Sequence, residues 1–285
     1  MVRLPFFLAR GFVAAETISG ALPVIGRLHD EGLLTTVDLL GEHVKQRDYA
    51  LRGRDAYIEL LQALAAHDGL ERNISIKLSM IGQIIDEDFC LDNLRAILKV
   101  AKATQAFVRL DMEGTSILES TLRLFEATFP DYRQHVGVVL QAYLKRTEND
   151  IERMCELKAR VRLCKGAYKE PPRLAWQRMS KIRERYVAYM KELLKRGHYP
   201  AIATHDNRLI QATQAFAREA SIDPGRFEFQ MLYGLRSLTQ HQIVKAGYNM
   251  RVYVPYGNMW LPYYSRRLRE RPQNVMFLLS NVFRA

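Results

Sequence analysis

The sequence predicts an α/β fold, a (βα)8 barrel of the TIM type, from three observations. Short apolar runs rich in β-branched residues recur along the chain, and amphipathic stretches of helical period separate them. Eight such runs are present, and this alternation is typical of parallel sheets. The length of 285 residues suits a barrel, and no G-x-G-x-x-G fingerprint follows any run. A closed barrel is therefore favoured over a doubly wound open sheet.

The apolar runs give the predicted strands in chain order. They cover 33–40, 74–81, 106–114, 136–144, 159–168, 200–206, 227–234 and 250–257. Helical stretches between them include 92–104, 115–129, 147–158, 174–196, 207–219 and 237–246. Thr115, Thr147 and Asn207 are predicted capping residues, because their side chains can accept a hydrogen bond from the first helical turn. We expect one domain over 1–285, with 1–30 as a helical N-terminal arm.

Composition limits the class of protein to which the chain can belong. The 42 basic and 31 acidic residues give a net charge of +11, which nucleic acid, an anionic membrane surface or an anionic substrate could each explain. The basic residues are scattered, so no nucleic-acid partner is expected. The spacing of the three cysteines, Cys90, Cys155 and Cys164, is not that of metal ligands. Neither disulfides nor a structural zinc site are therefore expected, and a cytoplasmic location is expected. No apolar run reaches the 18 residues of a membrane span, although peripheral membrane association stays open.

Polar residues gather at the C-terminal ends of the predicted strands. In a barrel those ends face the active site, so their side chains should converge on one pocket. They are Lys77, Asp111, Glu113, Gln141, Lys165, His205, Gln230 and Tyr253. Each alone has a structural explanation, such as a cap or a local hydrogen bond. Together they predict an enzyme, because a buried lysine or aspartate is costly unless it is paired or used.

The residue types limit the chemistry without selecting one reaction. Asp111 and Glu113 are two apart on one predicted strand and so share a face, but a metal would need more ligands. Lys77 or Lys165 would suit a Schiff-base lyase. Lysine, arginine and glutamine at a barrel mouth also suit an anionic cofactor with a polar ring edge. A nucleic-acid-binding protein is a further alternative, which only the net charge suggests.

Eight strings, in order and with matching spacing, resemble the proline dehydrogenase family. They are "SIKLS", "VRLDMEG", "VVLQAYL", "RLCKGAYKEP", "ATHD", "FEFQMLYG", "RVYVPYG" and "YYSRRLRERPQN". The resemblance is to the small monofunctional bacterial form, which is related to the proline dehydrogenase domain of bifunctional proline-utilisation proteins. It implies a distorted (βα)8 barrel that binds FAD without a Rossmann domain. N-terminal helices would precede the barrel, and the last helix would lie over its C-terminal mouth.

The resemblance also implies the reaction and its partners. L-proline would be oxidised to Δ1-pyrroline-5-carboxylate by hydride transfer to N5 of FAD, as the first step of proline catabolism. Electrons would pass to a quinone, and a separate pyrroline-5-carboxylate dehydrogenase would act downstream. No dedicated proton acceptor for the substrate amine is implied.

Site residues carry over from the matching motifs, with Asp111 and Arg162 as the expected catalytic residues. Arg162 would reach the flavin N5 edge, and Asp111 would pair with Lys77. The expected substrate-binding residues are Lys77, Leu232, Tyr253, Tyr263, Arg266 and Arg267. The expected cofactor-binding residues are Met112, Gln141, Arg162, Lys165, Gly166, Ala167, Thr204 and His205.

Two further expectations follow from the same motifs. Arg266 and Arg267 would hold the proline carboxylate, and Glu270 is spaced to orient them. Cys164 stands where the family more often has valine. As the strand neighbour of Lys165, it is expected to face away from the cofactor.

Overall fold

The structure is a computed structural model that describes residue 6, residues 9–261 and residue 263. Eight parallel strands pair in sequence order, and the eighth pairs with the first to close the barrel. Every neighbouring pair is parallel. The predicted (βα)8 barrel is therefore confirmed.

Strands and helices alternate throughout the described part of the chain. The strands are β1 Leu34–Leu39, β2 Asn73–Ile76, β3 Phe107–Leu110, β4 Val136–Gln141, β5 Arg160–Cys164, β6 Ala201–Ala203, β7 Glu228–Leu232 and β8 Asn249–Tyr256. The helices are α1 Ile18–Asp30, α2 Arg47–Ala65, α3 Glu87–Ala103, α4 Thr115–Tyr132, α5 Thr147–Leu157, α6 Met179–Arg196, α7 Asn207–Glu219 and α8 Ser237–Lys245.

Most strands end earlier than their apolar runs predicted. The strand predicted over 74–81 stops at Ile76, and Leu78–Met80 form a single 3-10 turn instead. The predicted caps are displaced by one residue, since Gly114, Arg146 and Asp206 occupy those N-cap positions. Apolar side chains continue past the strand ends because the loops are also buried at the barrel mouth, so hydrophobicity alone could not mark where pairing stops.

The N-terminal segment is helical over Ile18–Asp30, and residues 9–17 run in turns and extended chain. Thr17 caps α1 by accepting a hydrogen bond from the backbone N–H of Gly20 at 3.2 Å. Before the helix, Phe12 packs in a small apolar cluster with Trp260 and Tyr263, which follow β8. The N-terminal segment thus supports residues at the barrel mouth. None of the helices in the described residues combines the length and hydropathy that a bilayer crossing needs.

The barrel interior contains charged side chains within strands, and among them the sequence analysis singled out Arg162. Arg109, Arg162, Glu228 and Arg251 lie within strands, and each is at most 6% exposed. Arg251 Nε donates to both carboxylate oxygens of Glu228, at 2.9 and 3.0 Å, and Nη1 donates to Glu71 at 2.7 Å. Glu228 on β7 and Glu71 before β2 therefore neutralise Arg251 inside the barrel.

We expect Glu228→Gln to lower the free energy of unfolding by about 3–5 kcal/mol at pH 7, because it removes one partner of a buried ion pair. Burial alone raises the pKa of Glu228, but the charge and hydrogen bonds of Arg251 and the hydrogen bond of Gln230 lower it to about 2 from 4.5. This contribution is complete above about pH 4.5 and is lost as the pH falls towards about 2.

Denaturant unfolding of both proteins between pH 7 and pH 3 measures the effect. The difference in free energy of unfolding between wild type and Glu228→Gln should become smaller as the pH falls. Glu219→Gln, on an exposed position of α7, is the control and should match wild type at every pH. A pH-independent difference would contradict the ionised state of Glu228.

Candidate active site

A cavity of about 360 Å³ opens at the C-terminal ends of the strands. The residues from the predicted site that line it are Lys77, Asp111, Met112, Arg162, Lys165, Gly166, Ala167, Thr204, His205, Gln230, Leu232, Tyr253 and Tyr263. They come from β5, β7 and β8 and from the segments that follow β2, β3, β5, β6 and β8, and they are brought together by barrel closure. This is the end at which barrel enzymes carry their active sites.

Asp111, one residue beyond β3, accepts hydrogen bonds from two other strands. Arg162 Nη1 donates to its Oδ1 at 2.6 Å, and the hydroxyl of Tyr253 donates to its Oδ2 at 2.7 Å. Lys77 Nζ lies 3.8 Å from the same Oδ2. Burial, followed by Asp111, raises the pKa of Tyr253 well above its ordinary value, so this hydroxyl stays a donor. Asp111 therefore fixes one cation and one phenol relative to each other.

Asp38 lies nearer to the Lys77 ammonium than Asp111 does, and the sequence analysis missed it. Lys77 Nζ donates to Asp38 Oδ1 at 2.8 Å, and the Asp38 side chain is 1% exposed. The available signal was a lone aspartate within the apolar run 33–40, because a buried carboxylate requires a partner. Asp38 on β1 and Asp111 after β3 thus flank the ammonium from two directions.

The protonation state of Lys77 decides whether it could be the nucleophile of a Schiff-base lyase. Burial by itself lowers the pKa of Lys77, but Asp38 and then Asp111 outweigh it, with a smaller effect from Tyr57, and the pKa is raised overall. A Schiff-base lysine must lose its proton to attack a carbonyl. Lys77 is arranged to remain an ammonium, so the structure disfavours it as a nucleophile and suits it to hold an anion.

Arg162 is held by three partners. Besides Asp111, its Nε donates to Gln230 Oε1 at 2.5 Å and its Nη2 donates to Ser75 Oγ at 2.8 Å. Its guanidinium carbon also lies 5.2 Å from the ring centroid of Tyr253. A planar cation bound on several sides presents a fixed charge to whatever enters the pocket.

Lys165 is tied to the start of α7. Its Nζ donates to Asp206 Oδ2 at 2.6 Å, and Arg183 Nε donates to the same oxygen at 2.7 Å. Burial raises the pKa of Asp206, but the hydrogen bonds of Lys165 and Arg183 outweigh it and lower the pKa to about 2. Asp206 also caps α7 through the N–H of Arg208. The ion pair therefore fixes Lys165 at the rim of the pocket.

Gly166 turns the chain away from β5 immediately after Lys165. Its φ of +118° is unfavourable for residues with a side chain, and a Cβ atom there would lie 2.2 Å from Cδ1 of Tyr143. The backbone can follow this path only without a side chain, so the glycine sets the direction in which the loop crosses the pocket.

We expect Gly166→Ala to lower the free energy of unfolding by about 3 kcal/mol or more, because backbone strain and the clash with Tyr143 add. Gly26→Ala is the matched control. Gly26 lies in α1, where an added Cβ would meet open space within 4 Å, so alanine there should stabilise by up to about 1 kcal/mol. Guanidinium unfolding of both variants provides the measurement, and equal effects would contradict the role of Gly166.

Two predicted side chains do not line the cavity. Glu113 is directed to Ser79, whose hydroxyl donates to it at 2.8 Å, so the prediction that it shares a face with Asp111 is wrong. β3 ends at Leu110, and the period of two does not continue past a strand. Gln141 is 2% exposed, and its Nε2 donates to the backbone oxygen of Glu113 at 2.9 Å.

Glu113 instead lies near Glu42 and His43, and ligand atoms of the three residues come within 4.8 Å of one another. The carboxylate of Glu113 is already engaged by the hydroxyl and the backbone N–H of Ser79. Ser79 therefore already occupies the carboxylate of Glu113 and also accepts a hydrogen bond from the backbone N–H of His43.

The prediction that Cys164 faces away from the pocket is also wrong. Cys164 lines the cavity, because residues two apart on a strand share a face and Arg162 already points inward. Lys165 lines it as well, since β5 ends at Cys164 and the chain turns there. Arg266, Arg267 and Glu270 lie outside the described residues.

A closed (βα)8 barrel with a buried network of ion pairs at the C-terminal ends of its strands defines an enzyme of the TIM-barrel class. The family model described as "Proline dehydrogenase" matches residues 21–279. The chain belongs to the proline dehydrogenase family.

Individual relatives agree with this assignment. The chain is 41% identical over 270 residues to "Proline dehydrogenase 2" of Bacillus subtilis, covering 95% of this chain and 88% of the relative. It is 37% identical to "Proline dehydrogenase" of Deinococcus radiodurans, covering 97% and 90%. The crystal structure of proline utilization A from Bdellovibrio bacteriovorus, inactivated by N-propargylglycine, superposes with a TM-score of 0.85 at 28% identity. That match covers 92% of this chain and 32% of the other.

Proposed function

We propose that this chain oxidises L-proline to Δ1-pyrroline-5-carboxylate with FAD, as the first step of proline catabolism. Proline as the substrate is supported by relatives named proline dehydrogenases at 37% and 41% identity over most of the chain. The observation that carries the proposal is the pocket itself. All but one of the described residues that the family motifs assign to substrate and cofactor line it, the exception being Gln141.

Lys77 is the proposed anchor for the proline carboxylate. Its ammonium lies at the edge of the pocket, and two carboxylates hold it in place at 2.8 and 3.8 Å. Arg266 and Arg267 would complete the anion site from outside the described residues. Tyr253 and Leu232 also line the pocket and would supply the apolar wall against which a pyrrolidine ring packs.

The donor set of the pocket fits FAD. Arg162 supplies a fixed guanidinium, and Lys165 supplies an ammonium at the rim. His205 Nε2 accepts a hydrogen bond from the N–H of Leu232 at 3.0 Å, so a neutral imidazole carries its proton on Nδ1. We assign the cofactor to these side chains together with Met112, Gly166, Ala167 and Thr204, whereas Gln141 lies behind the pocket lining. When bound, FAD supplies at N5 the acceptor for the hydride that leaves C5 of proline.

The contribution of the protein is chiefly to position groups. The substrate loses a hydride from C5 and a proton from its nitrogen, and the C5–N bond becomes double. Asp111 and Arg162, the proposed catalytic residues, would set the orientation of the reacting groups and the positive charge beside them. Tyr253 would be fixed by its hydrogen bond to Asp111. Tyr263, 8% exposed and packed against the N-terminal segment, would close the substrate side.

The electrons would pass to a quinone, and the product to a separate pyrroline-5-carboxylate dehydrogenase. A relative named "Bifunctional protein PutA" from Klebsiella aerogenes is 28% identical over 94% of this chain but only 24% of its own length. Because that larger relative is named as bifunctional, it supports the proposal that a second enzyme acts after this one. The net charge of +11 would favour peripheral contact with an anionic membrane, where quinones reside. The free cysteines Cys90, Cys155 and Cys164 support a cytoplasmic location.

The visible absorption spectrum of the purified protein, before and after anaerobic L-proline, tests the proposal. We expect a flavin spectrum that bleaches with proline. A flavin spectrum that ignores proline would keep the cofactor and move the substrate to another cyclic amine. A colourless protein that cannot be reconstituted with FAD would contradict the proposal.

Lys77→Met and Asp38→Asn should each raise the proline KM by about tenfold or more and leave the FAD content unchanged, because a charge-assisted hydrogen bond contributes about 1.5–3 kcal/mol. Because Asp38 acts through Lys77, the double variant should be no worse than Lys77→Met. Steady-state kinetics measure all three.

Asp86→Asn is the control, since Asp86 caps α3 outside the pocket lining and asparagine caps equally well. Its KM should equal that of wild type. An unchanged KM in Lys77→Met would rule out Lys77 as the anchor of the carboxylate. Additive effects on KM in the double variant would show that Asp38 does not act through Lys77.

A further inference from the structure

A second cavity, of about 850 Å³, lies at the opposite, N-terminal end of the barrel. It opens beside the first residues of β1, β2, β3 and β5, and it shares no lining residue with the candidate active site. Its ionisable lining residues, tyrosine aside, are Glu71, Arg72, Lys102, His135, Arg160 and Arg251. The lining is therefore predominantly basic.

Arg160, the first residue of β5, is clamped between two aromatic rings. Its guanidinium carbon lies 4.3 Å from the ring centroid of Phe107 and 4.6 Å from that of Tyr199. Its Nε is buried, and nothing in the described part of the chain accepts a hydrogen bond from it. No carboxylate among residues 9–261 lies within ion-pair distance of Arg160. The guanidinium is thus fixed in place without an ion-pair partner among these residues.

The electrostatics around Arg160 agree with this geometry. Burial lowers the pKa of Arg160, and Glu228 offsets that effect only in part. The nearby acidic residues form ion pairs with Arg251 instead, Glu228 at 2.9 Å and Glu71 at 2.7 Å. Burial, followed by Arg162 and Arg160, lowers the pKa of Arg109, so Arg109 does not neutralise Arg160 either. Glu71, the acidic residue of the lining, therefore acts on Arg160 only from a distance while it is paired with Arg251.

Arg72 and Lys102, which also line the cavity, are engaged with backbone oxygens, which carry no net charge. Arg72 Nη1 donates to the backbone oxygen of Thr104 at 3.0 Å, and Lys102 Nζ donates to that of Asp131 at 3.5 Å. The positive charges of Arg72 and Lys102 remain available to a ligand in the cavity.

We infer that this cavity binds a small oxyanion, a phosphate or carboxylate group, on the guanidinium of Arg160. A guanidinium presents parallel N–H donors that match the spacing of such oxygens. The rings of Phe107 and Tyr199 hold it in one orientation, so little side-chain freedom is lost on binding. An incoming anion also relieves the burial of an unpaired charge. The site is independent of the proposed proline oxidation.

Thermal unfolding of the full chain, with FAD bound, tests the inference. Sodium phosphate and sodium acetate are each compared with sodium chloride at equal ionic strength, which separates the two sources of oxyanion. At about ten times the Kd, the better ligand should raise Tm by about 3 °C. Arg160→Gln should lose this rise. Arg218→Gln, on an exposed position of α7, should keep it.

Calorimetric titration with the better anion adds a variant that retains the charge. Tyr199→Leu removes one ring of the clamp and should weaken binding severalfold, which keeps the inference testable if Arg160→Gln does not fold. A Tm rise that persists in Arg160→Gln, unchanged affinity in Tyr199→Leu, or no gain over chloride in wild type would each overturn the inference.

Discussion

The carboxylate of Asp111 is the interaction on which the candidate active site depends. Arg162 from β5 and Tyr253 from β8 donate to its two oxygens, and Lys77 approaches one of them from the segment after β2. Without Asp111, Arg162 and Lys77 would lose the carboxylate that lies between them. Asp38 is the second carboxyl group beside Lys77, and burial raises its pKa. An anionic substrate therefore meets fixed cations whose burial is already compensated.

The mouth of the barrel is connected to its floor by hydrogen bonds. Asp111 bonds to Arg162, Arg162 to Gln230, Gln230 to Glu228, and Glu228 to Arg251. Every link joins side chains that are largely buried, so the chain of hydrogen bonds runs without a break from the pocket to Arg251. Polar networks of this kind specify a single arrangement of the core only when each member is satisfied. The order of the strands around the barrel is what places these five residues in line.

Barrel closure and the location of the site were predictable from sequence, because alternation of strands and helices and polar strand ends are properties of pattern. The partners were not. Asp38 lies within an apolar run, and its pairing with Lys77 depends on which strands are neighbours in space. Glu113 and Cys164 were misplaced because side-chain alternation holds only inside a strand, and the sequence did not show that β3 ends at Leu110. Period and composition report burial, whereas partner identity depends on register.

Cys164 places a natural thiol beside the pocket, so a reagent could label the pocket without any substitution. Cys90 and Cys155 are buried among the apolar side chains of the core, whereas Cys164 borders the cavity. Burial raises the pKa of Cys164 to about 11, so at neutral pH it is a protonated thiol and a poor nucleophile. Peroxide and general alkylating reagents should consequently spare it. A reagent shaped to enter the pocket would be concentrated beside the sulfur, and the extent of labelling would then report whether the pocket is occupied.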